Sequence, residues 1–137
     1  MAKKILIRDL EKPSEKNIEE DIEWICECFG FYERIDREKT ASLIFKRLLE
    51  SRTNGGGLTS TALGRETSVT RAAALNHLKR MMCSGLVIKE GSEYQIRCSS
   101  LFQTVNEMHR DVDRMFEDIE EIARDIDEHI GIKYRRR

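Results

Sequence analysis

Residues 58–87 read LTSTALGRETSVTRAAALNHLKRMMCSGLV, and their punctuation admits few folds. Thr59 is a hydroxyl residue set just before a helical run, where its oxygen can accept a bond from an orphan backbone N–H of the first turn. A short helix over residues 60–67 follows. Ser68-Val69-Thr70 contains no strong helix former, and Thr70 is a second cap, ahead of the Ala-rich run 71–84. Two helices joined by so short a turn cross steeply. Leu63, Val69, Ala74, Leu78 and Met81 are spaced so that both helices bury one face against a common core. That leaves Arg71, Ala72, Ala73, Asn76, His77 and Arg80 on or near the outer face of the second helix. Gly85 stops this helix, and the β-formers of 86–88 and 94–96 flank Gly91-Ser92, which fits a two-residue hairpin turn with Gly supplying a positive φ. The hairpin is in effect a wing.

The rest of the chain is arranged around this stretch. KKILIRDL at 3–10 is readable as an edge strand or as the start of a helix. Lys12-Pro13-Ser14 breaks it, with Ser14 available as a cap, and Ile18, Ile22, Ile25, Cys26 and Phe29 then fall at helical spacing up to Gly30. Gly30 is in the usual place for a left-handed terminator. Asp36 is the expected cap of a helix running to residue 51, with Ala41, Ile44, Phe45, Leu48 and Leu49 buried. Asn54-Gly55-Gly56-Gly57 is a flexible loop. It is not a phosphate cradle, since no strand precedes it and no Gly-Lys-Ser/Thr follows.

The longest element spans 99–131. Leu101, Val105, Met108, Val112, Met115, Ile119, Ile122 and Ile126 alternate in steps of four and three, a heptad seam that Phe102, Phe116, Ala123 and Ile130 widen on one flank. A seam this wide suits a bundle, and a domain this small has no place to bury it. The expectation is a homodimer in which the helix packs on its symmetry mate and on the 17–29 helix, with Leu101, Val105, Met108, Val112, Met115, Phe116, Ile119, Ile122 and Ile126 at the interface. The alternative is a helix folded back on its own domain. The expected fold is therefore mainly α with a small β-hairpin wing: an N-terminal segment and helix (1–35), a helix-turn-helix with its wing (36–98), a long amphipathic dimerisation helix (99–131) and a basic tail (132–137).

Charge separates these parts. The chain has a formal net charge of −1, but residues 58–98 carry six basic side chains against three acidic ones, whereas 100–130 carry three basic against ten acidic. A locally basic reading face beside a remote acidic oligomerising arm gives that split. No apolar run reaches the roughly twenty residues that span a membrane, and MAKKILIRDL has too short an apolar core for a signal peptide. The expected location is the cytoplasm, with no membrane partner.

Thr70-Arg71, Asn76-His77-Leu78, Met81 and Gly85-Leu86-Val87 together resemble the recognition-helix signature of winged helix-turn-helix regulators of the ArsR/MarR type, over residues 37–97. The resemblance implies a transcriptional regulator that binds double-stranded DNA sequence-specifically as a homodimer, with the helix at 70–84 in the major groove. Arg71 is then placed for guanine O6/N7, or for phosphate alone, and Asn76 for adenine, while Ala72 and Ala73 keep the backbone close to base edges or thymine methyls and Thr70, the cap, belongs to the same DNA-binding set. Thr59, Ser60, Lys79 and Arg80 face phosphates; Lys89, Ser92 and Arg97 reach from the wing; His77 flanks the contact surface and packs the motif. The rival is a winged-helix module that docks on protein without specific DNA binding. Two positions depart from the family pattern. Gly64 stands where Ala is usual, which still permits close helix approach but weakens its helix by up to about 1 kcal/mol, and Ser68 stands where Gly is usual in the turn, where a positive φ would be costly for a non-Gly residue.

No nucleophile, base or paired carboxylate lies at a catalytic spacing, so the chain is read as no enzyme, with no cofactor and no metal. Cys26 and Cys28 fall on different faces of a helix, Cys83 and Cys98 are isolated, and all four read as reduced thiols. His109 and Asp113, at i and i+4, form a bidentate pair lacking the remaining ligands of a metal site.

Overall fold

The computed structural model describes residues 3–31 and 39–133. Among these, five helices surround a small antiparallel sheet: α1 (Ile18–Cys28), α2 (Thr40–Thr53), β1 (Leu58–Thr59), α3 (Ser60–Thr67), α4 (Arg71–Ser84), β2 (Val87–Glu90), β3 (Glu93–Ile96) and α5 (Leu101–Ile130). No helix among the described residues is long and apolar enough to cross a membrane.

The core is built by α2, α3, α4 and the sheet. Ile44, Phe45, Leu48, Leu63, Leu78, Met81, Leu86 and Ile96 are fully buried, and each such side chain contributes about 1.5–3 kcal/mol relative to exposure. The caps expected at α3 and α4 form. Thr59 Oγ1 accepts from Ala62 N–H and Thr70 Oγ1 from Ala73 N–H, both at 3.1 Å. Gly85 closes α4 in the left-handed region at φ 87°. The hairpin β2–β3 pairs Val87 with Ile96 and Glu90 with Glu93 across Gly91-Ser92.

Three local expectations are corrected. The cap of α1 is Asn17, which accepts from Glu20 N–H at 3.2 Å, because Ser14 lies in the bend by which the chain reverses to enter the helix. Residues 3–10 are neither strand nor helix: they form an extended strap, tied by Lys4 N–H to the Cys83 carbonyl (2.9 Å) and by Arg8 N–H to the Cys28 carbonyl (2.8 Å). The sheet has a third strand, since β1 pairs with β3 (Leu58 with Tyr94, Thr59 with Glu93). The expected cap Asp36 lies outside the described residues; α2 starts at Thr40 after Lys39, whose ammonium reaches Glu23 of α1 at 2.8 Å.

The 30 residues of α5, capped by Ser100 and closed by Gly131, make a rod of about 45 Å. Its first turns lie on the body through Thr104 and Met108, and Thr104 Oγ1 accepts from Cys98 N–H at 3.0 Å. From Phe116 onward nearly every side chain is exposed.

Candidate nucleic-acid interface

The α3–turn–α4 unit is set by two backbone facts. Gly64 is buried at the crossing, where an added Cβ would lie 2.9 Å from the Val69 carbonyl oxygen. The glycine that weakens α3 in isolation is therefore what lets the two helices approach. Ser68 takes the left-handed conformation (φ 59°, ψ 36°) as the C-cap of α3, a geometry that costs a non-Gly residue about 1–2 kcal/mol.

Between α4 and the hairpin lies an open groove of about 310 Å³, lined by Thr59, Ser60, Thr61, Arg71, Leu75, Lys89, Ser92 and Tyr94. It gathers Thr59, Ser60, Arg71, Lys89 and Ser92 from three separate stretches of sequence. Arg71 is exposed, and its Nε donates to Ser60 Oγ at 3.3 Å, so Ser60, itself buried, orients the guanidinium. Lys89 Nζ stands 5.5 Å from the Tyr94 ring centroid, a cation–π distance that holds the ammonium over the groove wall. Ala72, Asn76 and Lys79 lie along the exposed face of α4, with Ala73 and His77 half-buried beside them, and Thr70 is exposed at the cap.

Two of the expected phosphate contacts are placed elsewhere. Arg97 Nη1 donates to Asp111 Oδ2 at 2.7 Å, and this bond raises the Arg97 pKa above its ordinary value. Arg80 Nη1 leans toward the Phe31 carbonyl at 3.4 Å. Of the acids near the motif, Glu66 is paired with Arg47 at 3.0 Å, while Glu90 and Glu93 are exposed on either side of the hairpin turn.

The interface expected along α5 divides in the same way. Met108 is 2% exposed and belongs to the chain's own core, not to a surface. Leu101, Val105, Val112 and Met115 are half-buried. Phe116, Ile119, Ile122 and Ile126 are 52–61% exposed.

Asp111 is the buried charge that pattern reading passed over. It is 3% exposed, and its carboxylate accepts from Lys3 Nζ of the strap (2.7 Å), Arg97 of the β3 exit (2.7 Å) and Arg114 of α5. Burial alone would raise its pKa; the bonds from Arg97 and Lys3 outweigh that and hold it at about 2. The signal was present in the sequence, because Asp111 is three residues after Met108 and four before Met115, an acid at an apolar spacing.

Burial pushes the Cys26 thiol up to about 12, and Cys28 is raised for the same leading reason. His109 Nε2 lies 3.8 Å from Asp113 Oδ1 on an exposed face. Among the described residues no group of three or more His, Cys, Asp or Glu side chains is placed to hold a metal ion. Compared with models of protein families, with curated proteins and with solved structures, the chain matches none.

Proposed function

We propose that the chain is a winged helix-turn-helix regulator of the ArsR/MarR type that binds double-stranded DNA as a homodimer, with α4 entering the major groove and β2–β3 serving as the wing. The observation that carries this reading is the groove, where a solvent-facing arginine at the N-terminal end of α4 and a lysine of the hairpin meet with hydroxyl groups from Thr59 and Ser92. A phosphate strand laid along the groove would take Lys89, Ser92 and Thr59, while Arg71 and Asn76 reach base edges and Lys79 the flanking backbone. Arg97 is excluded from this contact set by Asp111. The exposed stripe of α5 supports the dimer, since two copies would cover in each other the apolar side chains that one copy leaves wet.

Selection of bound duplexes from a random pool tests the reading. The parent chain is expected to enrich a pseudo-palindrome; Arg71→Ala should lose discrimination of about 1–3 kcal/mol at one base position of each half, and Lys79→Ala should weaken all duplexes alike and reduce the salt dependence by about one phosphate. Enrichment no better than background, with neither substitution altering binding, would favour a module that docks on protein, a reading to which the exposed Glu90 and Glu93 of the wing lend support.

A further inference from the structure

Among the described residues, two groups of buried side chains hold α5 to the rest of the chain. Its first turns are seated by Leu101, Thr104 and Met108, and one turn further on Asp111 is held from outside the helix by Lys3 and Arg97. The two cations come from opposite ends of the reading head. Lys3 opens the strap, which runs on to bond the Cys83 carbonyl of α4, and Arg97 follows directly on β3. Gly85, the α4 cap, completes the seat: a Cβ there would lie 3.2 Å from Arg97 Nη1 and 3.3 Å from Asp111 Oδ2. Strap, recognition-helix terminus and wing exit thus converge on one buried carboxylate of the long helix. Beyond it the exposed rod continues for 19 residues to Ile130, or about 29 Å.

We infer that Asp111 is a positioning residue that pins the angle of α5 to the reading head and so fixes the separation of half-sites that a dimer joined through α5 accepts. This rests on the dimeric DNA-binding reading above. The lever is long: each 10° of rocking at Asp111 would move the far end of α5 by about 5 Å, more than the roughly 3.4 Å rise of one base pair. The seat of Leu101, Thr104 and Met108 reaches back at most 10 residues, or about 15 Å, from Asp111, a shorter arm than the 19 residues of exposed rod beyond it, and so resists such rocking weakly. An ion cluster gripping the helix from two directions removes it.

The test uses the full chain and Asp111→Asn, which keeps the shape and removes the charge. Small-angle X-ray scattering should give a broader distance distribution for the variant at unchanged helix content by circular dichroism. On duplexes carrying two selected half-sites at stepped separations, the parent should prefer its best separation over one shifted by two base pairs by about tenfold, and the variant by less than about threefold, with single half-site affinity unchanged within about twofold. Should Asp111→Asn fail to fold, Lys3→Met removes one grip at the chain's edge and should show the same broadening in smaller degree. Scattering and spacing profiles that superimpose on the parent's overturn the inference. Broadened scattering from a protein that, like its parent, binds no duplex would leave the pin standing and remove the DNA reading instead.

Discussion

The two halves of α5 carry the same apolar spacing and meet opposite surroundings. In the half before Phe116 the helix turns Thr104, Met108 and Asp111 inward, so that two of its three buried residues are polar and each is satisfied by hydrogen bonds. In the half after Met115 a broader and more apolar stripe, Phe116, Ile119, Ile122, Ile126 and Ile130, stays more than half exposed. Periodicity identifies the helix and its faces; it does not identify what covers them. Where the chain's own body is within reach, Met108 is closed off, Leu101 packs half-buried beside it, and a buried carboxylate with well-placed cations completes the contact. Where the body ends, the apolar stripe is left exposed among the described residues.

Truncation on either side of the boundary should break the comparison most sharply. Met108→Ala should destabilise the isolated chain by about 2–5 kcal/mol, measured by chemical denaturation, because it leaves a cavity in a closed core. Ile122→Ala should change the stability of the dissociated chain by less than about 0.5 kcal/mol, the usual range for an exposed position, and act on self-association alone. If the two substitutions prove equally costly at high dilution, the halves are not distinct.

Acid should address the proximal half next. The Asp111 carboxyl sits at about 2 in the folded chain against an ordinary 3.8, so its contribution is fully present above the ordinary value and is lost as pH falls through about 2. A depression of this size corresponds to about 2 kcal/mol. Stability measured from pH 5 downward should show this decline, and Asp111→Asn should remove it.

The unit of α3, α4 and the hairpin, the head of the molecule, serves as the reference for both halves. Gly64→Ala should cost about 1–3 kcal/mol, because the crowding against the Val69 carbonyl exceeds the gain in helix propensity. Ser68→Gly should stabilise by up to about 1 kcal/mol by relieving the left-handed strain. Thermal melts of the two variants, shifted in opposite directions, would check both.

Much of this head was legible because short-range chemistry decides it. Thr59, Thr70, Gly85 and the Gly91-Ser92 turn act within four residues of themselves, and each sits where its local role requires. What escaped depends on contacts remote in sequence. A two-residue strand such as β1 exists only because β3 is beside it. Asn17 rather than Ser14 caps α1 because the strap consumes the intervening residues in reversing direction. That Gly64 permits a close helix approach was readable; that the Val69 carbonyl is what approaches it was not. Asp111 stands out in the sequence only as an acid at an apolar spacing; what satisfies it there is Lys3, 108 positions away, brought to 2.7 Å. In the candidate site the residue types were readable, while their availability was not: Arg71 and Lys89 face the groove, Arg97 is drawn off to Asp111, and Ser60 serves Arg71.

The mass of the complex formed on a selected duplex, measured by sedimentation in moderate salt, tests the central claim most directly. The account predicts duplex plus two chains of 16.0 kDa, formed without a populated single-chain complex and lost as salt is raised. A complex holding one chain, or no complex at any salt concentration, would contradict it.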